Sequence, residues 1–356
     1  MSRLLRRIVA SVVLLVVATA ATAIFLLNRA GAFVHLSSHF AGKCESLSLP
    51  GSAADVRVDR GTHSAYLSVL DRRARLEGKD VAGTVFRLDL ASSPLAAAPA
   101  LSDAPAGFRP RGISLYTAPD GRQWLFALSD PAGVPHTVEI FSRTDDGQFA
   151  YRETLHNPLL FSPHSIIAVG ARQFYVTNDS GARSGLERLT ERAFGRALSS
   201  LIYYDGSTMR VVDDAVAGGA GIAASADGGR IYVGQTGSRS VRVYARDSAN
   251  GDLTPVEDVD IYSTPDGLDV AEDGAIWVAA HPNLLEFARH LRDPRRRAAT
   301  QVLRVAADPL AERRLGEVYL SSGEDLSAGS VAAATRGGFL LGAVFDPRVL
   351  VCYLPR

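Results

Sequence analysis

The sequence predicts an all-β protein, a six-bladed β-propeller carried behind one N-terminal transmembrane helix. Two observations lead there: six strand–turn–strand segments recur along the chain, and one long uncharged run precedes the first of them. Composition agrees. Of 356 residues 47% are hydrophobic and 21% charged, which is ample material for a core and unlike a disordered polyelectrolyte. The 38 basic residues balance 38 acidic ones, and without a net positive field no nucleic-acid partner is expected.

The uncharged run covers residues 8–27, IVASVVLLVVATAATAIFLL. At about 1.5 Å per residue it is long enough to cross a hydrocarbon core about 30 Å thick. Arg3, Arg6 and Arg7 precede it, whereas Arg29 and Lys43 are the basic residues that follow closely. That asymmetry places the N-terminus in the cytoplasm and the rest on the periplasmic or extracytoplasmic side of a single-pass membrane protein. The small-residue runs Ala18-Thr19-Ala20 and Ala21-Thr22-Ala23 would also suit a cleaved signal peptide. Ile24-Phe25-Leu26-Leu27 carries the apolar run past both, which favours an uncleaved anchor. The expected organisation is a cytoplasmic tip and anchor over 1–30, a tether over 31–43, and a propeller over 44–356 closed by the terminal strands.

Each repeat is a short apolar alternation, a polar Gly/Asp turn and a second apolar run. The six are DVRVDRGTHSAYLSVL from Asp55, GISLYTAPDGRQWLFAL from Gly112, SIIAVGARQFYVTND from Ser165, GIAASADGGRIYVGQ from Gly221, GLDVAEDGAIWVAAH from Gly267 and SVAAATRGGFLLGAVF from Ser330. Their starts lie 46 to 63 residues apart, which suits one four-stranded blade each. Asp120-Gly121, Asp227-Gly228 and Asp273-Gly274 supply turns in which glycine accepts a positive φ. An irregular sandwich would alternate too, but this length is large for one.

The helical exception is 184–204, SGLERLTERAFGRALSSLIYY, where apolar residues recur near helical spacing. Ser184 as N-cap and Glu187 three residues on form a capping box. Such a helix can simply cover the propeller face, lid a pocket or touch the bilayer. The basic run from Arg292 to Arg297 holds Pro294 and reads as an exposed loop, solvated or against anionic headgroups.

Zinc-type His/Cys spacing, GxSxG, HExxH and phosphate-loop motifs are all missing from the sequence. The candidates for chemistry are polar residues at strand ends. Asn178 and Asp179 follow Phe174-Tyr175-Val176, Asp266 and Asp269 bracket Gly267, and Asp55 opens the first repeat. His164 precedes the third repeat, and His281 closes WVAAH. A propeller gathers such positions round its axis, where oxygen donors can hold a calcium ion; the alternative is local turn capping by Asp and Asn.

The stretches SIIAVGARQFYVTND, LIYY (201–204), SADGGRIYVG, WVAAHPN, GSVAAATRGGFLLGAVFD and VCYLP, in this order and approximate spacing, resemble the paraoxonase/arylesterase family of calcium-dependent lactonases and esterases. The resemblance implies a six-bladed propeller from Cys44 to Cys352 and a retained N-terminal anchor. It also implies a catalytic calcium, whose ligand positions fall on Ala53, His164, Ala220 and the pair Asp266-Gly267, so Asp266 alone is kept. The positions it implies for a structural calcium are Ala54 or, with a one-residue slip, Asp55, then Ser165 and the carbonyl of Ile113. The family's histidine dyad falls on Arg111 and Asp130, the histidine after its Asn-Asp falls on Ser180, and His281 matches a pocket histidine.

Alanine and glycine supply no side-chain oxygen. Calcium is therefore either absent or held by other groups, with Asp55, Asn178, Asp179, Asp266 and Asp269 as candidates. His164, His281 and Arg111 are the candidate catalytic residues, and the Arg111 fork can hold a carboxylate. Two functions remain open: a hydrolase of lactone or ester bonds, and a repurposed propeller that binds a ligand or an envelope partner. Cys44 and Cys352 are the two cysteines of the chain, placed where the first and last elements must meet. The resemblance implies a terminal bridge there, and an extracytoplasmic site would let it persist. Closing so long a loop gives a chain-entropy ceiling of about 5–6 kcal/mol.

Overall fold

Twenty-four strands form six antiparallel sheets of four in the computed structural model, which describes residues 2–355. Each repeat supplies the two inner strands of one blade. In blade 1 these are Ser52–Asp59 and Ser64–Leu70, followed outward by Thr84–Asp89 and Ala97–Pro99. The inner strands of blades 2 to 5 are Pro110–Thr117, Pro163–Gly170, Gly219–Ala224 and Thr264–Val270. Blade 6 runs outward through Gly329–Thr335, Gly338–Ala343 and Arg348–Tyr353, and takes its outermost strand, Lys43–Ser48, from the other end of the chain. The ring closes through that strand. Cys44 pairs with Cys352 in register, and the two are joined by a disulfide with Cα atoms 4.0 Å apart.

The core lies between blades rather than inside any one of them, because each sheet is apolar on both faces. Ala53, Val56 and Leu67 of blade 1 pack on Val331, Leu340 and Val351 of blade 6, and five similar clusters fill the other interfaces. The alanine run of blade 6, Ala332-Ala333-Ala334, is wholly buried there, where little space is left between sheets.

Four helices decorate the ring. The first, α1 (Arg3–Arg29), is long and apolar enough to cross a membrane. The second, α2 (Arg72–Leu76), is capped by Asp71, which accepts from the Ala74 amide. The third, α3 (Gly185–Phe194), carries the expected Ser184/Glu187 capping box but is shorter than the sequence pattern suggests. Gly195 ends it with φ 65°, and Ser199–Tyr204 is instead the third strand of blade 3, buried along its whole length. Its Ile-Tyr-Tyr run is β-branched and aromatic, and blade burial overrides the helical spacing. The fourth, α4 (Leu284–Arg292), follows Asn283 as N-cap.

The segment expected to be a tether lies on the propeller. His39 pairs with Leu320, and Phe40 packs edge-on against Tyr319 and Phe339. The carbonyl of Ala30 accepts from the Leu284 amide at 2.9 Å, and the Arg29 guanidinium donates to the Gly237 carbonyl. Both partners follow second strands of blades 4 and 5, level with the starts of the inner strands. The apolar helix thus leaves from the face at which the inner strands begin.

Candidate functional site at the starts of the inner strands

All six inner strands lose register near their first residues, between Ala53 and Asp55, Pro110 and Ile113, Pro163 and Ser165, Gly219 and Ile222, Pro265 and Leu268, and Gly329 and Val331. A bulge leaves a residue unpaired and re-aims its side chain. Seven skipped residues, Ala54, Arg111, Gly112, His164, Asp266, Gly267 and Ser330, line one cavity of about 480 Å³. Skipped glycines let neighbouring strands approach: a Cβ on Gly221 would lie 2.3 Å from the Asp266 carbonyl, and one on Gly267 2.5 Å from the Ser330 carbonyl. No side chain fits at 267 in this backbone.

Asp266 is the hub of the cavity. Its Oδ2 lies 3.0 Å from His281 Nε2 and its Oδ1 3.3 Å from His164 Nε2. His281 is buried and stacked on Phe287 of α4 with ring centroids 3.7 Å apart. The Nδ1 atoms of His164 and His281 have no hydrogen-bond partner among the described residues. Burial pushes the Asp266 carboxyl up, but the hydrogen bonds and charges of His164 and His281 outweigh it and hold the group well below the usual carboxylate range.

Arginines form the opposite wall. Arg72 and Arg75 sit three residues apart on α2 and reach the cavity together, while Arg73 turns outward to Asp346. Arg72 donates to the Ser52 and Pro110 carbonyls at 2.9 and 2.6 Å, Arg75 is paired with Asp130, and Arg111 donates through Nη1 to the Pro163 carbonyl at 3.3 Å. Burial first, then the charges of Arg111 and Arg75, with Asp130 opposing, pulls the Arg72 guanidinium down to about 9, still a cation at neutral pH.

Beneath the cavity the axis is blocked by a buried ion pair. Arg57 donates through Nε to the Ile113 carbonyl (2.8 Å), through Nη1 to the Leu268 carbonyl (2.9 Å) and through Nη2 to Asp55 Oδ2 (3.1 Å), with the Ile222 carbonyl at 3.5 Å. One guanidinium thereby ties blade 1 to blades 2, 4 and 5. Asp55 also accepts from the Ile113 and Val56 amides, both at 2.9 Å. Burial pushes the Asp55 carboxyl up, against Arg57 and those two amides. Asp55 borders the upper cavity and Arg57 a lower one of about 410 Å³, so the pair partitions the channel. Asp269 lies in the lower chamber, paired with Arg60 at 3.0 Å.

Of the sequence-predicted residues, His164, Asp266 and Arg111 line the upper cavity with Asp55 at its floor, and His281 is buried beside Asp266. Asn178 and Asp179 do not join them. Asn178 is fully buried and spends its amide on the Leu159 carbonyl, Ser200 Oγ and the Ser162 amide, and Asp179 accepts from the Ser162 hydroxyl. Both therefore serve as loop-capping groups. Sequence reasoning missed Arg72 and Arg75, although Asp71 followed by arginines at helical spacing was a usable signal, and it missed Arg57.

The donor set does not fit a calcium ion. Among the described residues no group of three or more His, Cys, Asp or Glu side chains is placed to hold a metal. The Asp266 carboxylate is taken by two imidazoles, and the Asp55 carboxylate and the Ile113 carbonyl are taken by Arg57. A guanidinium stands on the Ile113 carbonyl and on Asp55, two of the three positions that the family resemblance, read with the one-residue slip, assigns to a structural calcium.

Fold and cavity together define a six-bladed propeller with a polar pocket at the starts of its inner strands. The Arylesterase family model matches residues 79–354, and the chain belongs to that family. It is 31% identical to human serum paraoxonase/arylesterase 1 over 251 residues, 70% of this chain and 69% of the relative. It is also 31% identical to chicken serum paraoxonase/arylesterase 2 over 249 residues, 69% of each chain. A gluconolactonase from Xanthomonas campestris superposes with a TM-score of 0.51 at 17% identity, covering 89% of this chain and 91% of the other. An aldose sugar dehydrogenase from Streptomyces coelicolor, in its PQQ-bound form, reaches 0.52 at 13% identity, covering 89% and 99%. Those two share the fold and differ in chemistry, so the fold does not select a reaction.

Proposed function

We propose that the chain is a membrane-anchored hydrolase of small carboxylic esters or lactones, with its N-terminus cytoplasmic, its propeller (44–356) outside and its reaction in the upper cavity. The observation that supports this reading most is the Asp266 carboxylate bridging two imidazoles beside the arginine wall. In this reading His281 is a positioning residue that fixes Asp266, and Asp266 holds the His164 ring at the cavity through Nε2. The His164–Asp266 pair is then the base. It takes a proton from water as the water oxygen bonds to the carbonyl carbon, and the carbonyl oxygen becomes the oxyanion. When the C–O bond breaks, the same proton passes to the leaving alkoxide.

A second reading is a propeller that binds its ligand without turnover. Ala54 and Gly267 at cavity positions, together with Arg57 on the axis, favour it. Full-length protein assayed on aryl esters and aliphatic lactones separates the two. The hydrolase reading expects turnover that falls about 100-fold or more in H164A, with unchanged folding. No turnover across the panel leaves the binding reading standing.

A further inference from the structure

We propose that the upper cavity takes a ligand bearing a carboxylate, seated on Arg111 with Arg72 behind it. The proposal deepens the hydrolase reading by naming its substrate class, an ester or lactone that carries a free carboxylate, but its test measures binding alone.

The grounds are a charge inventory of the cavity. Each carboxylate that lines it is already matched: Asp55 by Arg57, Asp130 by Arg75, and Asp266 by His164 and His281. Two guanidiniums are left without a carboxylate among the described residues. Arg72 is spent on backbone carbonyls and the Ser52 hydroxyl, which satisfy its hydrogen bonds but leave its charge. Arg111 makes a single long bond through Nη1, so the edge formed by its Nε and Nη2 is uncommitted. That edge is a planar two-donor fork, the shape that matches a carboxylate side-on. Two like charges beside one half-buried cavity repel each other; burial first and then Arg111 lower the Arg72 guanidinium, and an anion between the two relieves the repulsion. Leu76, Val344 and Phe345 on the remaining wall suit a short carbon chain.

The arrangement is assembled by separate parts of the chain. Arg111 is aimed inward by the bulge of blade 2, and Arg72 by a one-turn helix inserted between the second and third strands of blade 1. Across the cavity stands the His164–Asp266 pair. A small ligand with one end on Arg111 therefore presents its other end to the imidazole.

Isothermal titration of the full-length protein in detergent with succinate, its neutral diamide and inorganic phosphate tests the proposal. Succinate is expected to bind and the diamide not, with phosphate weaker than succinate. R111Q is expected to weaken succinate binding at least about ten-fold, the loss of one charge-assisted bidentate contact. R111K is expected to retain an intermediate affinity, which separates lost charge from lost fold. The proposal is overturned if succinate gives no saturable heat, if R111Q binds it as well as the parent does, or if phosphate binds more tightly. Succinate binding without ester turnover would leave the anion site standing and remove the hydrolase.

Discussion

Two buried ionic sites lie on one axis, separated by little more than the Asp55 carboxylate, and they are built in opposite ways. At the floor, Arg57 and Asp55 satisfy one another and draw in the carbonyls of Ile113 and Leu268 and the amides of Ile113 and Val56. At the mouth, Asp266 is satisfied, but His164 and His281 each keep a ring nitrogen without a partner, and Arg111 keeps most of its fork free. A completed network holds a fold; an incomplete one beside a cavity is what a ligand completes. The floor is therefore read as structural and the mouth as functional, although both are made from the same residue types.

The largest expected effect lies at the floor. R57M strands a buried carboxylate and three carbonyls, and should lower stability by about 3–5 kcal/mol, read as a shift in urea midpoint. A D55L/R57M double variant should recover most of that loss, because an apolar pair leaves no unmatched charge. If R57M melts like the parent, the floor is not the clamp described. Next comes the mouth, where H164A should cost about 100-fold in kcat/KM while stability changes little. A fall in stability comparable to that of R57M would mean that both sites are structural.

Acid should act more gently. His136 and His290 are both held below their ordinary value of 6.5, first by burial. Below that value the unfolded chain binds more protons than the folded one, so their contribution, complete above pH 6.5, is lost as pH falls through their folded values. Melting temperature followed from pH 8 to 5 should therefore decline shallowly below about pH 6.5, and a rise would contradict the assignment. The smallest expected effect is that of calcium. With the floor oxygens held by Arg57, adding calcium or a chelator should move the melting temperature by no more than about 1 °C, since a ligand that does not bind cannot stabilise.

Much of the fold was legible because blades are local. Strand, glycine-bearing polar turn and strand recur within a few residues, and all six inner pairs were placed from pattern alone. The capping box at Ser184 and Glu187 was legible for the same reason. The end of α3 was not, because Leu201 to Tyr204 satisfy helical spacing and strand burial equally, and the neighbouring sheets decide between them. The site was legible in part. His164, His281, Asp266 and Arg111 stand at strand starts, where a propeller gathers its polar groups. Arg57 sits mid-strand in an alternating pattern that reads as solvent-facing, and it becomes the axial clamp only when four blades surround it. Asn178 and Asp179 also stand at a strand end, yet the 157–162 loop folds over and claims them.

The contrast between floor and mouth is tested most directly by the melting temperature of R111Q measured beside that of R57M. Arg111 makes a single long hydrogen bond, so R111Q should melt within about 2 °C of the parent, a change of about 1 kcal/mol or less, while R57M falls much further. An R111Q melting temperature depressed as far as that of R57M would contradict the account.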